Sequence, residues 1–367
     1  MKLEFRNHTP IANKWLIVFS GINKNAVDKN GKKIYEQHAF HIPKRWISVK
    51  WSRSMIKQML AYMALSDSEG NAGVIHLDTL ATYIGCSTKT VQNNNRTFEA
   101  LQLIERTELW SNLVCIKLSK YRENFLDLYT SPVKGGSLTS VNPGSESEET
   151  KYYSRTGYTT IKREAMIELL GLLNVNELRI ACRSFYLFEK EVNVGKNSKA
   201  YLTYNDLKGI LPKYYVFKAN IKKTFKYLST LFSFKTLEEK EIVESLSKST
   251  ESIPTQLQKL KSRFIVSFQL HKQKNSRLTL QEEIKEADSA FDLFFLETKI
   301  RPISNEQKSS LISEFGLAKL SQALDEIITI IKGNYSQTRS MLLDELESTP
   351  VNSIKHFITS EKVQLSK

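Results

Sequence analysis

The sequence predicts an α+β, mainly helical protein: two winged helix-turn-helix domains in tandem, followed by a C-terminal helical bundle. Three observations predict it. Residues 77–118, LDTLATYIGCSTKTVQNNNRTFEALQLIERTELWSNLVCIKL, order a short helix, a tight turn, a polar-tipped helix and a β-hairpin. The same order returns after residue 199 without letter-by-letter identity. From Thr279 onward, only helical periodicity remains.

In the first motif, Leu77, Leu80, Ala81 and Ile84 share one helical face, and Gly85-Cys86 break the chain. Ser87 or Thr88 then caps a second helix by accepting an orphan N–H of its first turn. That helix turns Val91, Phe98 and Leu101 inward and presents Lys89, Gln92, Asn93, Arg96 and Thr97 outward. Helical spacing puts Asn94 or Asn95 beside the inward stripe, where an apolar residue is expected. LQLIER and NLVCIKL read as strands joined at Trp110-Ser111-Asn112. Ser52 to Ser66 is an amphipathic helix, Gly73 to His76 a short strand, and Tyr121 to Leu128 a closing helix.

The outward face carries chemistry. Asn and Gln pair bidentately with adenine and Arg with guanine in the major groove, while hydroxyls hold phosphates. Lys89, Thr90, Gln92, Asn93 and Arg96 are therefore expected to read bases, with Ser87 and Thr88 at the phosphate-facing end.

Ahead of the motif, Trp15 to Phe19 is an apolar run and Lys33 to His41 an alternating one, expected as strands around an Asn30-Gly31 turn. His38 and His41 stand three apart, so on a strand they face opposite sides and do not form a metal or nuclease pair. Lys44-Arg45 reads as phosphate-facing. Residues 130–150 are rich in Ser, Gly and Pro and are expected to be a flexible linker.

Beyond the linker, Ile161–Leu173 and Asn176–Val192 are periodic helices, and Lys199–Thr203 is strand-like. Tyr204 to Pro212 repeats the short helix and break. A longer helix is expected from Tyr215 to Phe232, with Phe217, Ile221, Phe225, Leu228 and Phe232 as its stripe. Lys213, Lys218, Lys222, Lys223 and Lys226 surround that stripe with Asn220, and no acid lies between Lys213 and Lys226. A merely solvated face mixes its signs, so Lys213, Lys218, Lys222 and Lys223 are expected to neutralise phosphates, with Asn220 among them. SFKTLEEKEIV and SRFIVSFQL then resemble strands flanking a polar excursion over 244–261. The expected domains are 1–129, 151–275 and a helical partner or oligomerisation domain over 276–367. In the last, Ser304 to Gln307 is a capping pattern.

The net charge of +14 over 367 residues is unevenly placed. Residues 1–145 carry 19 Lys and Arg against 11 Asp and Glu, residues 151–250 carry 18 against 10, and residues 251–367 carry 16 against 15. Two basic blocks attract a polyanion. No apolar run spans a bilayer and Met1-Lys2-Leu3-Glu4 begins neither a signal peptide nor an acylation motif, so the reading is a soluble, cytoplasmic chain without a membrane partner. Cys86, Cys115 and Cys182 read as buried free thiols of a reducing compartment. There is no GxxxxGK[ST] cradle, zinc spacing or Gly-x-Ser-x-Gly elbow, so no cofactor, metal or catalytic residue is expected and the chain reads as a non-enzyme.

Two basic winged helices in tandem resemble the replication initiators of bacterial plasmids and phages, an architectural resemblance over roughly residues 50–270 whose most specific local piece is Ser87-Thr-Lys-Thr-Val-Gln92. Pro350 to Phe357 resembles the tails of DnaD-type primosome proteins. The resemblance implies double-stranded DNA as partner, repeated origin sites, host helicase or primosome proteins recruited through the C-terminal helices, and no catalysis by the chain. A homodimer through those helices is the other partner expectation. A transcriptional repressor or segregation adaptor on the same fold, and an RNA- or protein-binding structural protein, are the alternatives.

Overall fold

The computed structural model describes residues 3–21, 26–27, 33–34, 42–110, 112–131, 151–154, 157–237, 265–333 and 336–364. It is mainly helical, with small antiparallel sheets. Its contacts divide it into two compact units, one of residues 1–5 and 10–274, the other of residues 6–9 and 275–367.

β1 (His8–Ala12) leads into α1 (Asn13–Ser20), and from Pro10 to Lys274 the chain belongs to the first unit. Trp15 to Phe19 thus lies in a helix rather than the expected strand. All eight residues of α1 are buried, and an apolar run with no wet face has no period to tell helix from strand. Two-residue strands β2 (Ala26–Val27) and β3 (Lys33–Ile34) pair where the hairpin was expected; the Asn30-Gly31 turn, His38 and His41 lie outside the described residues. A short helix α2 (Lys44–Ile47) follows.

The first motif is then built from α3 (Arg53–Leu65), β4 (Asn71–His76), α4 (Leu77–Ile84), α5 (Thr88–Ala100), β5 (Ile104–Trp110) and β6 (Leu113–Leu118). Ser52 caps α3 through Met55 N–H at 3.2 Å. The three strands run antiparallel in the order β4-β6-β5, and Ile75, Val114, Ile104 and Leu118 face the core. α4 stops at Gly85, whose φ of +67° is the left-handed conformation glycine adopts without strain. The closing helix α6 (Tyr121–Phe125) is shorter than expected, and β7 (Leu128–Ser131) pairs with β8 (Lys151–Ser154). Residues 132–150 of the expected linker lie outside the described residues.

The second half repeats this plan. β9 (Tyr158–Lys162) leads into α7 (Arg163–Gly171), so Ile161 is the last inward residue of a strand rather than the start of a helix. α8 (Val175–Phe188) continues into a π-helical turn, Glu189–Val194. Then come β10 (Ala200–Thr203), α9 (Tyr204–Ile210), α10 (Lys218–Tyr227), β11 (Phe232–Leu237) and β12 (Ile265–Leu270), with sheet order β10-β12-β11. The order matches that of the first half strand for strand. The helix expected from Tyr215 to Phe232 is a correction. A 3-10 turn, Lys213–Tyr215, precedes α10, Phe217 is its exposed N-cap residue, and Phe232 already starts β11. Phe217 and Phe232 fell on the helical period by coincidence, because the strand begins only a few residues after the helix ends. The excursion 244–261 lies outside the described residues.

The two halves share one hydrophobic cluster. β1 pairs with β9, α1 packs on α8, and α7 packs on α3 and α4, so each lead-in helix covers the first long helix of the other half. Trp15 of α1 stacks between Trp46 and Phe125, with ring centroids 4.6 and 5.4 Å away. Beside it, buried Lys14 places Nζ 3.1 Å from Asp127 Oδ1 and donates to the Glu123 carbonyl.

The second unit consists of α11 (Ser276–Thr298), α12 (Asn305–Phe315), α13 (Leu317–Lys332), α14 (Ser336–Ser348) and α15 (Pro350–Gln364) around its own cluster of Phe291, Phe294, Leu311, Leu324 and Ile327. Ser304 and Gln307 form the expected capping box. Residues 6–9 are part of this unit. The buried His8 ring lies 2.6 Å from Ser276 Oγ and 3.1 Å from Glu283 Oε2, and Asn7 donates to the same carboxylate oxygen at 2.8 Å.

Removing one partner of a buried ion pair strands the other's charge. Lys14→Met is therefore expected to lower stability by about 3 kcal/mol, read from urea denaturation. Adding Asp127→Asn, which suits the left-handed φ of +57° at that position, is expected to recover much of the loss.

Candidate nucleic-acid interface

α5 carries the first set of expected site residues. Ser87 is its N-cap and accepts from Thr90 N–H at 3.2 Å, while the two hydroxyls lie 2.9 Å apart. The Thr88 hydroxyl donates to Asp78 of α4. These three hydroxyls build the helix start. Lys89, Asn93 and Arg96 are exposed along one face, and Gln92 is half-buried beside them. Their spacing of three and four residues makes a continuous polar row.

The Asn94-Asn95 doublet is buried, and the partners of both come from α3. Asn95 Oδ1 accepts from Gln58 Nε2 at 2.7 Å and from the Tyr62 hydroxyl at 2.6 Å, while Asn94 donates to Gln58 Oε1 at 2.9 Å. Gln58 also reaches the Val91 carbonyl. Burial pushes the Tyr62 hydroxyl well above its ordinary range, so it keeps its proton and donates. An unmade bond here costs roughly 1–3 kcal/mol. Rotation of α5 about its axis would break several at once. The doublet where an apolar residue was expected thus fixes which residues face outward.

The turn ahead of α5 is held by cations. Arg53 donates to the carbonyls of Gly85 at 3.1 Å and Leu173 at 2.6 Å, and buried Lys57 reaches the Ile84 carbonyl at 3.3 Å. They meet the carbonyl end of α4, where the helix dipole favours positive charge.

In the second half, Lys222, Lys223 and Lys226 of α10 are exposed, as is Lys213 of the preceding turn, while Ile221, Phe225 and Leu228 point inward. Lys218 is the first residue of α10. Asn220 is half-buried, and its amide donates to the Tyr214 carbonyl at 3.3 Å, which makes it part of the turn rather than a free reader. Tyr214, Phe217 and Tyr227 are exposed, whereas Tyr215 is half-buried with its hydroxyl 2.7 Å from Thr224 Oγ1.

An open groove of about 970 Å³ lies between the halves. Lys50, Arg53, Arg179 and Lys223 line it, and Glu177 is its single acid among the described residues. Sequence reasoning missed Lys50, Arg53 and Arg179, which stand apart in the chain and meet only through the shared core. Neither a family model, nor a curated protein, nor a solved structure matches this chain. Among the described residues no group of three or more His, Cys, Asp or Glu is placed to hold a metal, and no helix is long and apolar enough to cross a membrane. All three cysteines are free; only Cys182 is fully buried, its thiol pushed up to about 12 by desolvation, while Cys86 and Cys115 are half-buried rather than buried as expected.

Burial and the Arg53 guanidinium pull the Lys57 ammonium down to about 8 from 10.5. Between those values the unfolded chain binds more protons at this site than the folded one, so this group makes stability rise with pH across the window. Lys57→Met is expected to remove that rise. Denaturation midpoints of both proteins from pH 7 to pH 10.5 check it, and parallel curves would contradict it.

Proposed function

We propose that both halves of residues 10–274 are winged helices, and that the chain binds double-stranded DNA sequence-specifically as a replication initiator. The carrying observation is the recurrence of one order of elements and one strand order in both halves, each ending its helix pair in an exposed polar or cationic helix. Lys89, Gln92, Asn93 and Arg96 have the side chains that read base edges. Lys213, Lys222 and Lys223, together with Lys50 in the groove, supply charge for the phosphates between.

Charge supports the same division of labour. Residues 275–367 carry 11 Lys and Arg against 14 Asp and Glu, so the helical unit has no electrostatic pull on DNA. It is assigned to protein contact, with host helicase or primosome components as the partner class. The reading assigns the chain no catalytic step.

Selection of bound duplexes from a random library at about 0.15 M salt tests the reading. Tandem copies of one motif are expected. A palindrome would instead favour a repressor or segregation adaptor, since half-site arrangement mirrors the symmetry of the binder. An unenriched pool would refute sequence-specific binding.

Gln92→Ala and Asn93→Ala are each expected to cost about 1–3 kcal/mol at one site position and to relax its sequence preference. Paired Lys222→Ala and Lys223→Ala are expected to weaken all duplexes alike, lowering the salt slope by about one for each phosphate no longer neutralised. Competition binding across a salt series separates the two outcomes.

A further inference from the structure

The wing of the first half is unlike the rest of this basic unit. Residues 104–118 carry Arg106 and Lys117 against Glu105 and Glu108. Arg106 is itself taken up, 3.1 Å from Glu99 and 2.9 Å from Glu108. The strands therefore offer a phosphate backbone no excess of charge. What the wing does offer is apolar. Trp110 is 76% exposed and its neighbour Leu109 is 46% exposed, whereas Trp15, Trp46 and Trp51 are 6% or less. The pairing explains how both face water. Glu108 opposes Val114 and Trp110 opposes Leu113, so Leu109 is an extra residue with no partner on β6. Such a bulge re-aims the side chains around it.

The tip is also fixed in place. Asp78 accepts from the Asn112 amide at 3.0 Å with one oxygen and from the Thr88 hydroxyl with the other. The Leu77 N–H donates to the Asn112 carbonyl at 2.8 Å. One carboxylate thus ties the wing to the first residue of α5, the end from which Lys89 and Gln92 project. A large indole held beside a base-reading helix end, on a strand pair with no net positive charge, suits a base step better than a phosphate.

We infer that Trp110, with Leu109, is a wedge for duplex DNA. It enters the minor groove next to the major groove occupied by α5 and stacks at a deformable pyrimidine–purine step. Apolar side chains inserted there unstack and kink the duplex, and TA steps yield most readily. The chain then reads its site twice, by hydrogen bonds from α5 and by deformability at a flanking step. The inference rests on the DNA-binding reading above.

Acrylamide quenching of the full chain tests it, because Trp110 supplies the exposed tryptophan emission while the other three are buried. The probe is the duplex recovered by selection, with a TA step placed at successive positions outside the motif. Saturation with duplex is expected to remove the quenchable component. Trp110→Ala is expected to bind roughly tenfold or more weakly and to lose the preference for TA at one position, while Trp110→Phe keeps most of both. If Trp110 stays equally quenchable in a saturated complex, the wedge is wrong while DNA binding stands. If it is shielded already in the free chain and released on dilution, the tip joins two copies of the chain and the wedge is again wrong. If the unaltered chain binds no duplex, both readings fail together.

Discussion

The exchange of lead-in helices is the constraint on which the larger unit depends. α3 and α8 are each buried on nearly all sides, and part of each is covered by the lead-in helix of the other half. α1 closes over α8 and α7 closes over α3, so the apolar faces of both halves join into one core. A core of that size gains far more from burial than two small ones, because the buried fraction rises with the size of the folded body. It also makes the halves mutually dependent. A defect such as loss of the Lys14–Asp127 pair acts on the foundation that both halves share, since Lys14 and Trp15 sit on the exchanged helix.

On that foundation, a few polar groups decide orientation. Apolar packing is tolerant of small rotations, whereas hydrogen bonds buried away from water are not. Gln58, Tyr62, Asn94 and Asn95 fix the rotation of α5 on α3; Arg53 and Lys57 fix the turn before it; Asp78 fixes the β5–β6 turn against its start. The doublet and Lys57 commit buried polarity to position, whereas Arg53 and Asp78 act at the surface. The outward row from Lys89 to Arg96 is left open to solvent because Asn94 and the Asn95 side-chain carbonyl oxygen are held against α3.

The local plan was legible wherever a period or a cap marks it. Ser87 as cap, the break at Gly85, the Ser304 box and the inward stripe of α5 all follow from neighbours within four residues. Three kinds of feature were hidden. Trp15 to Phe19 has no wet face, so nothing in its pattern separates helix from strand. Phe217 and Phe232 lie on a helical period that the backbone does not follow, because the 3-10 turn and β11 take the ends of the run. Lys50, Arg53, Arg179 and Lys223 converge only through the exchange of lead-in helices, a tertiary fact with no local signature. Asn95 is the instructive middle case. Its misfit with the apolar stripe was visible, but its partners Gln58 and Tyr62 lie far upstream on another helix.

On the proposed DNA-binding reading, the shared core bears directly on recognition. Residues 130–150 read as a flexible tether, and two heads on such a tether would tolerate variable spacing between the sites they bind. With one core, spacing is instead set by packed helices, and β7 and β8 hold the two ends of the connecting segment side by side. A rigid pair of helices admits one separation and one relative orientation of the segments it contacts. On the proposed reading it would then discriminate by geometry even where Lys222 and Lys223 met only phosphate. Specificity in such a protein would come from α5 reading bases and from the fold refusing any duplex whose backbone does not meet the second helix in register.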